Sequence, residues 1–285
     1  GETMTEAETL EPGIHPDQPM DTYLGQPGAS SSRLRLLRRS PAHCRYAMDN
    51  PRPPTPAMIL GSATDAAILE PDVFTARYLR GIDGDGRTKA VREAREALAA
   101  ENPEATILSP SDYDACLAMR DAVWAHPGAR KLLQAPGIVQ PSLVWEEEGD
   151  DGPIRCIGRP DRVTDSGLLV DLKTTADASP HGSFPRSMYE YGYVMQGVHY
   201  WTGLSRLGRE IRAGLIIAVE SSPPHAVVVY QPDTASGVAA EAERDSLLRV
   251  WERCIRTGHW PAYPDIIQSI SLPAWAVRQI EERAA

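Results

Sequence analysis

The chain has 285 residues, of which 42% are hydrophobic and 24% charged, with a formal net charge of −10 at pH 7. This composition is typical of a globular protein with one sizeable core and argues against a disordered class. No apolar run reaches membrane-spanning length and no signal pattern opens the chain, so we expect a cytoplasmic protein with no membrane partner. The four cysteines are widely separated and form no CxxC motif, which predicts buried reduced thiols and no zinc ribbon or iron–sulfur cluster.

The N-terminal half is predicted to be an arm followed by helices. Residues 1–28 are rich in proline, glycine and acids without periodicity, which predicts a flexible N-terminal arm. Residues 29–285 are then expected to form a single domain, mainly helical over 29–135 and sheet-containing over 136–285. Serine caps, a proline at a first helical position and runs of helix-forming residues predict the helices at 30–39, from 41, at 57–69, at 87–100 and at 111–125.

From about residue 139 the pattern changes to short β-rich runs. Strands are predicted at 142–146, 154–163 and 168–174, joined as an antiparallel meander. The remaining predicted elements are a helix at 186–206, strands at 214–220 and 226–230, and helices at 234–256 and 273–283. This order predicts an α/β (α+β) fold, with a central mixed sheet flanked by helices and with helical N-terminal additions.

The two runs around residues 158–173 carry the most informative charged residues. Gly158-Arg159-Pro160-Asp161 ends one run, and Asp171-Leu172-Lys173 lies in the next, beyond a turn at 164–167. Because side chains alternate along a strand, Asp171 and Lys173 share one face. Two neighbouring carboxylates repel each other unless a cation lies between them, and oxygen ligands suit Mg²⁺ or Mn²⁺. The stretch therefore favours metal-assisted phosphodiester hydrolysis, with an exposed strand salt bridge as the alternative.

Lysine usage strengthens this interpretation. The chain contains three lysines against 26 arginines, and only Lys173 has an acid two residues before it. A lysine ammonium is compact and sits on a flexible stem, so it can hold a water or a phosphate oxygen beside a metal, whereas the planar guanidinium of arginine replaces it poorly.

Three further residues could complete such a site. Gln196 and Tyr200 are four residues apart on a predicted helix and so share a face, although a surface pair would look the same. Asp65 lies in an otherwise small and apolar predicted helix, where it is either a surface residue or an inward-facing metal ligand. The tyrosines at 189, 191 and 193, together with Trp201, could stack on bases or bury against the sheet, and core packing is the expectation.

A basic strip interrupts the acidic chain. Six arginines, among them Arg33 and Arg45, fall within twenty residues that contain one acid, Asp49. Such a strip can bind DNA phosphates even in a protein of net negative charge, and a solvated helix face is the equal alternative.

Taken in order, these motifs resemble the PD-(D/E)XK nuclease superfamily, specifically its RecB-like and exodeoxyribonuclease VIII-like branch of phage recombination exonucleases. The resemblance covers residues 20–275 and includes the opening Ser30–His43 stretch and the Gly61–Pro71 stretch. It departs from the branch at Asp65, where relatives carry a metal-binding histidine, and the cysteine trio of the iron–sulfur members is absent.

The resemblance implies a Mg²⁺- or Mn²⁺-dependent exodeoxyribonuclease that resects linear double-stranded DNA, in the 5′-to-3′ direction. Asp65, Asp161, Asp171 and the Leu172 carbonyl would hold the metal, Lys173 would orient or deprotonate the water, and Gln196 and Tyr200 would position the lysine or the phosphate. Arg33 or Arg45 would receive a terminal 5′-phosphate. Relatives form ring-shaped homo-oligomers and work beside a single-strand annealing protein. An endonuclease of the same fold and a catalytically inactive DNA-binding scaffold are the alternatives.

Overall fold

A computed structural model describes residues 9–284 of the protein. Residues 1–8 of the predicted arm and residue 285 lie outside the described residues. The strands are β1 (Gly13–His15), β2 (Tyr78–Arg80), β3 (Thr106–Leu108), β4 (Gly137–Val139), β5 (Ser142–Gly149), β6 (Gly152–Gly158), β7 (Arg162–Thr164), β8 (Leu168–Thr175), β9 (Ala213–Glu220) and β10 (Val227–Tyr230). The helices are α1 (Met20–Leu24), α2 (Ser31–Leu37), α3 (Pro41–Asp49), α4 (Pro56–Leu69), α5 (Pro71–Arg77), α6 (Lys89–Glu101), α7 (Pro110–Ala125), α8 (Pro127–Gln134), α9 (Phe184–Glu190), α10 (Tyr193–Arg206), α11 (Thr234–Thr257) and α12 (Ala274–Ala284). No helix within residues 9–284 is both long and apolar enough to span a bilayer.

The strands form a mixed central sheet and a smaller antiparallel one, as the α/β prediction requires. The central sheet has five strands in the order β10-β9-β8-β7-β4, and only the β8–β9 pair is parallel. The second sheet has the order β1-β5-β6, and β2 and β3 form a separate parallel pair. A parallel pair needs a crossover, and α9 and α10 supply it between β8 and β9.

Helices cover both faces of β8, so its charged residues lie in the interior. Val170 and Leu172 pack against α4, α7 and α8 on one face. On the other face Leu169 joins a core with α2, α10 and α11. The face that carries Asp171 and Lys173 is therefore covered as well, and Asp171 is 7% exposed. A carboxylate at that depth needs a charged partner.

The predicted strand at 154–163 is two strands in different sheets. β6 ends at Gly158 and pairs with β5, whereas β7 begins at Arg162 and pairs with β4 and β8. Pro160 lies in the break, because proline has no backbone N–H to donate to a ladder. The predicted three-stranded meander is accordingly two hairpins, and Asp161 lies at the junction of the sheets.

The predicted helix at 186–206 is also divided. α9 ends at Glu190 and α10 begins at Tyr193, with Gly192 between them at φ +69°. A left-handed residue stops a helix, and glycine adopts that conformation without steric cost.

Residues 9–28, for which the sequence predicted no regular structure, wrap around the smaller sheet. β1 pairs with β5 along one edge, and Ala29 bridges Cys156 on the opposite edge, through Ala29 N to Arg155 O and Ile157 N to Ala29 O, both at 2.9 Å. The Arg155 guanidinium also donates to the Leu10 and Pro27 carbonyls. Almost any sequence can form backbone hydrogen bonds of this kind. The side-chain pattern of residues 9–28 therefore did not predict the pairing.

A buried charged network joins α11 to the smaller sheet. Arg244 forms an ion pair with Glu147, and its Nε donates to His199 Nδ1 at 3.2 Å. The indole of Trp145 donates to the same Glu147 carboxylate at 2.8 Å, and His199 Nε2 donates to the Ile157 carbonyl at 3.1 Å. Each of these buried polar groups thus has a partner, as burial requires.

The four cysteines are buried and free, as predicted.

Candidate active site

The turn between β7 and β8 fixes the register that brings the two acids together. Gly167 N donates to Thr164 O at 3.0 Å and Leu168 N donates to Thr164 Oγ1 at 2.8 Å, with Gly167 at φ +85°. In the ladder, Arg162 is opposite Val170 and Val163 is opposite Leu169. One antiparallel step further, Asp161 comes opposite Asp171.

Asp161 is tied to the backbone of β8. Its Oδ2 accepts a hydrogen bond from Leu172 N at 2.7 Å. Burial, and then the neighbouring Asp171 carboxylate, raise the pKa of Asp161 to about 7, against the lowering effects of Lys173 and the Leu172 N–H. Because a strand residue directs its N–H and C=O to the same side, we expect the Leu172 carbonyl to face this edge too.

Lys173 is the cation of the group. Its Nζ lies 2.6 Å from Asp171 Oδ2 and 4.8 Å from the centroid of the Tyr193 ring. Burial lowers the pKa of Lys173, but Asp171 and Asp161 outweigh burial, and the net shift is upward. The side chain is therefore protonated while it is paired with Asp171, which favours a role as a charged donor over that of a base.

Asp65 extends from α4 toward the same point. Burial raises the pKa of this carboxyl group well above its usual value, and the charges of Asp161 and Asp171 raise it further, against the opposing effect of Lys173. The structure therefore brings Asp65 within electrostatic range of the β7–β8 acids.

Gln196 and Tyr200 form a pair on α10, as their spacing predicts. Gln196 Nε2 donates to the Tyr200 hydroxyl at 2.9 Å. Burial and the nearby Asp171 raise the pKa of Tyr200, so that the phenol stays neutral and keeps its proton for donation.

A cleft of about 590 Å³ opens onto this group. Asp65, Asp161 and Tyr200 line it. Sequence reasoning missed several other lining residues: Asp17, Asp21, Tyr23, Glu70, Arg77, Tyr78, Gln140 and Arg159. Arg159 was detectable, since it stands two residues before Asp161. Tyr23 was not, because the segment that carries it shows no periodicity.

The two arginines predicted to bind DNA have partners within the fold. Arg33 Nη1 donates to the carbonyls of Gln26 at 3.1 Å and Gly28 at 2.6 Å. Arg45 pairs with Asp49 at 2.8 Å and stays half exposed at 49%. Arg159, by contrast, lies in the cleft, and its Nη1 donates to Ser142 Oγ at 2.8 Å.

The chemistry of the donors fits a divalent cation. The buried Asp171 and the half-buried Asp65 and Asp161 interact electrostatically here, and the upward pKa shifts of Asp65 and Asp161 indicate that positive charge would be stabilised between them. Within residues 9–284, however, no three His, Cys, Asp or Glu side chains are arranged closely enough to hold a metal ion without adjustment. Asp161 Oδ2 accepts a hydrogen bond from Leu172 N, whereas Asp171 Oδ2 lies in ion-pair contact with Lys173 and accepts no hydrogen bond from the described residues.

A mixed sheet flanked by helices, with two aspartates and a lysine on adjoining strands, defines a PD-(D/E)XK core. The sequence matches the family model of the PDDEXK-like domain of unknown function (DUF3799) over residues 30–273, so the chain belongs to that family. No curated protein sequence matches it.

Solved structures with a similar fold include a protein described as a "putative exonuclease" from Eubacterium rectale. It aligns with a TM-score of 0.55 and 11% identity, covering 87% of this chain and 91% of that one. A phage related exonuclease from Haemophilus somnus 129PT aligns with a TM-score of 0.33 and 13% identity over 81% of this chain and 96% of its own, a likeness too weak to carry an argument. At these identities the first comparison supports the fold alone.

Proposed function

We propose that this protein is a metal-dependent deoxyribonuclease that degrades linear double-stranded DNA from its ends. The observation that carries the proposal is the meeting of Asp161, Asp171 and Lys173 at the β7–β8 hairpin beside an open cleft. The family and the fold of the Eubacterium rectale protein agree with phosphodiester hydrolysis.

Asp65, Asp161, Asp171 and the Leu172 carbonyl would hold Mg²⁺ or Mn²⁺. When bound, the ion would lower the pKa of a water and neutralise charge on the phosphate. The Lys173 ammonium would donate to a nonbridging phosphate oxygen or to the attacking water, which stabilises the charge that develops in the transition state. Tyr200, held by Gln196, would present its hydroxyl proton to the same phosphate.

The finer parts of the proposal come from the resemblance. They are 5′-to-3′ polarity, a ring-shaped homo-oligomer and a single-strand annealing protein as partner. A cytoplasmic location and one nuclease domain over 29–285 are further parts of the proposal, and they rest on the composition and the order of the predicted elements. The structure offers one supporting feature for self-association. Apolar side chains of the C-terminal segment are exposed, including Ile267 at 102%, Ile270 at 95% and Trp275 at 65%.

End-labelled linear duplex tests the activity directly. We expect Mg²⁺-dependent release of labelled nucleotides from linear DNA, suppression by EDTA, and little cutting of covalently closed plasmid. Lys173→Ala should reduce the rate by about 10²-fold or more, because one preorganised donor to the developing charge is lost. Lys89→Ala is the matched control, since Lys89 lies on the exposed helix α6 and pairs with Glu93.

Each alternative predicts a different result. An endonuclease would cut the closed plasmid as readily as linear DNA. An inactive scaffold would bind duplex and cut neither substrate. Cleavage by Lys173→Ala at the parental rate would refute the assignment of this site.

A further inference from the structure

The last turn of α9 and the linker to α10 leave large aromatic side chains in solvent. Tyr189 is 71% exposed and Tyr191 57% exposed, contrary to the expectation of core packing. Two tyrosine rings within three residues thus contribute little to the buried apolar surface of the fold. Exposed aromatic side chains that lie this close together favour a role in binding. Gly192, at φ +69°, separates α9 from α10 at this point.

These rings continue from the catalytic lysine toward solvent. The Lys173 ammonium lies 4.8 Å from the Tyr193 ring centroid, and the Tyr193 ring stacks on Tyr191 at 5.7 Å with an interplanar angle of 20°. Tyr193 and Asp171 also line a second cleft of about 500 Å³. Lys173, the stacked rings of Tyr193 and Tyr191, and the solvent-exposed surface thus follow one another without a gap.

Arg35 of α2 and Arg38, directly after its last residue, flank the rings. Arg38 lies 5.3 Å from the Tyr189 ring centroid, and its Nη1 donates to the Tyr189 carbonyl at 2.7 Å. Its Nη2 pairs with Glu243 at 2.6 Å. Arg35 packs against the linker, where a Cβ on residue 192 would lie 3.4 Å from its Cδ. No acidic partner of Arg35 is found within residues 9–284. The nearest exposed acid on α9, Glu190, is paired with Arg186.

Stacked aromatic rings with adjacent cations are the usual platform for unpaired bases. Every base has a π-face, so such a surface binds single strands without sequence preference, and nearby arginines contact the phosphates. Duplex DNA offers no free base faces to these rings except at its ends.

We propose that Tyr189, Tyr191 and Tyr193, with Arg35 and Arg38, form a track that binds a single DNA strand next to the catalytic lysine. The proposal rests on the nuclease function proposed above, and it specifies the substrate: the bases of the bound strand are unpaired on this side of the site. The strand enters or leaves the site over α9.

Binding without cleavage tests the track. The probes are a fluorescein-labelled thymidine 12-mer and an abasic 12-mer of the same charge, titrated in EDTA and followed by anisotropy. We expect the parent protein to prefer the thymidine probe, because the abasic strand cannot stack. Tyr189→Ala/Tyr191→Ala should weaken binding of the thymidine probe about tenfold or more and lose the preference.

Two matched variants control for other effects. Tyr46→Ala removes a tyrosine of similar exposure, 62%, from α3 and should bind both probes as the parent does. Tyr189→Phe/Tyr191→Phe retains the rings and should retain the preference. Crosslinking of a 5-iodouracil 12-mer to the parent should label Tyr189 or Tyr191, a result that depends on no variant.

Equal binding of the two probes by the parent, or full binding by the double alanine variant, would overturn the track. Cleavage of linear duplex is measured separately on the parent. A protein that cuts DNA but lacks the base preference refutes the track alone, whereas one that has the preference but cuts nothing refutes the nuclease function alone.

Discussion

Asp65 occupies the position at which the resemblance to RecB-like nucleases leads us to expect a histidine. Its carboxyl group adds a third negative charge beside Asp161 and Asp171 and is correspondingly hard to ionise without a cation. As a proposed metal ligand, an aspartate at this position would supply a hard oxygen atom, which suits Mg²⁺ better than an imidazole does.

We therefore expect Asp65→Asn to raise the Mg²⁺ concentration for half-maximal DNA cleavage by about tenfold or more. A Mg²⁺ titration of cleavage rate measures this. Asp72→Asn, at an exposed acid in the first turn of α5, is the matched control and should leave the titration unchanged. An unaltered Mg²⁺ requirement in Asp65→Asn would remove Asp65 from the ligand set.

The sequence predicted those residues of the candidate site whose positions depend on local structure such as a turn or a strand register. Asp161, Asp171 and Lys173 could be brought together from sequence because a short turn fixes the hairpin register. The direction of Asp65 could not be predicted, since α4 is apolar on nearly every side and helical phase gives no preferred face. The depth of Asp171 was missed because the sequence does not show that helices cover both faces of β8.

At the scale of elements, the β7–β8 turn sets the spacing of the acids. A Cβ on Gly167 would lie 2.6 Å from the Glu210 carbonyl oxygen, in addition to the strain of φ +85°. Gly208 has a similar φ of +79° but open space around a Cβ. Comparing alanine substitutions at Gly167 and Gly208 therefore distinguishes the cost of a steric clash from the cost of backbone strain.

We expect Gly167→Ala to lower the free energy of unfolding by about 3 kcal/mol, and Gly208→Ala to lower it by about 1 kcal/mol. Urea denaturation measures both values. Equal losses in the two variants would show that the contact with Glu210 relaxes without cost, and that the turn does not depend on glycine for space.

Most helix and strand positions were predicted from local sequence signals such as caps and turn residues. The boundaries that were predicted wrongly also have local causes. Ser30 and Ser40 cap α2 and α3 as predicted, each through its hydroxyl oxygen. The two divided elements were missed because Pro160 and Gly192 were treated as tolerated within longer runs. The short strands β1 to β4 carry three residues each, too few for periodicity to register.

At the scale of the whole molecule, the Arg244 network ties stability to pH. Burial, and then the Arg244 charge, lower the pKa of His199 to about 4, against the opposing effects of the Ile157 carbonyl and Glu147. The folded state thus binds this proton more weakly than the unfolded state, in which histidine titrates near 6.5. Stability from this group is complete above pH 6.5 and is lost as the pH falls toward 4.

We expect this one group to reduce the free energy of unfolding by on the order of 3 kcal/mol between pH 6.5 and pH 4. Urea unfolding of the parent and of His199→Gln across that range isolates the contribution. The variant should start less stable and show a shallower slope. Parallel slopes would mean that His199 does not remain neutral in the fold.

The smaller sheet and the cleft depend on residues 9–28, although the sequence of this segment shows no pattern of regular structure. β1 occupies one edge of the smaller sheet, Ala29 closes the opposite edge, and Tyr23 lines the cleft between them and the acids. A shortened chain beginning after residue 28 would expose the backbone of β5 as an open template for the strand of another molecule. A protein truncated at that point should therefore aggregate more readily. If it also lost activity, the cause would be the missing side of the cleft, and the catalytic residues themselves could still be intact.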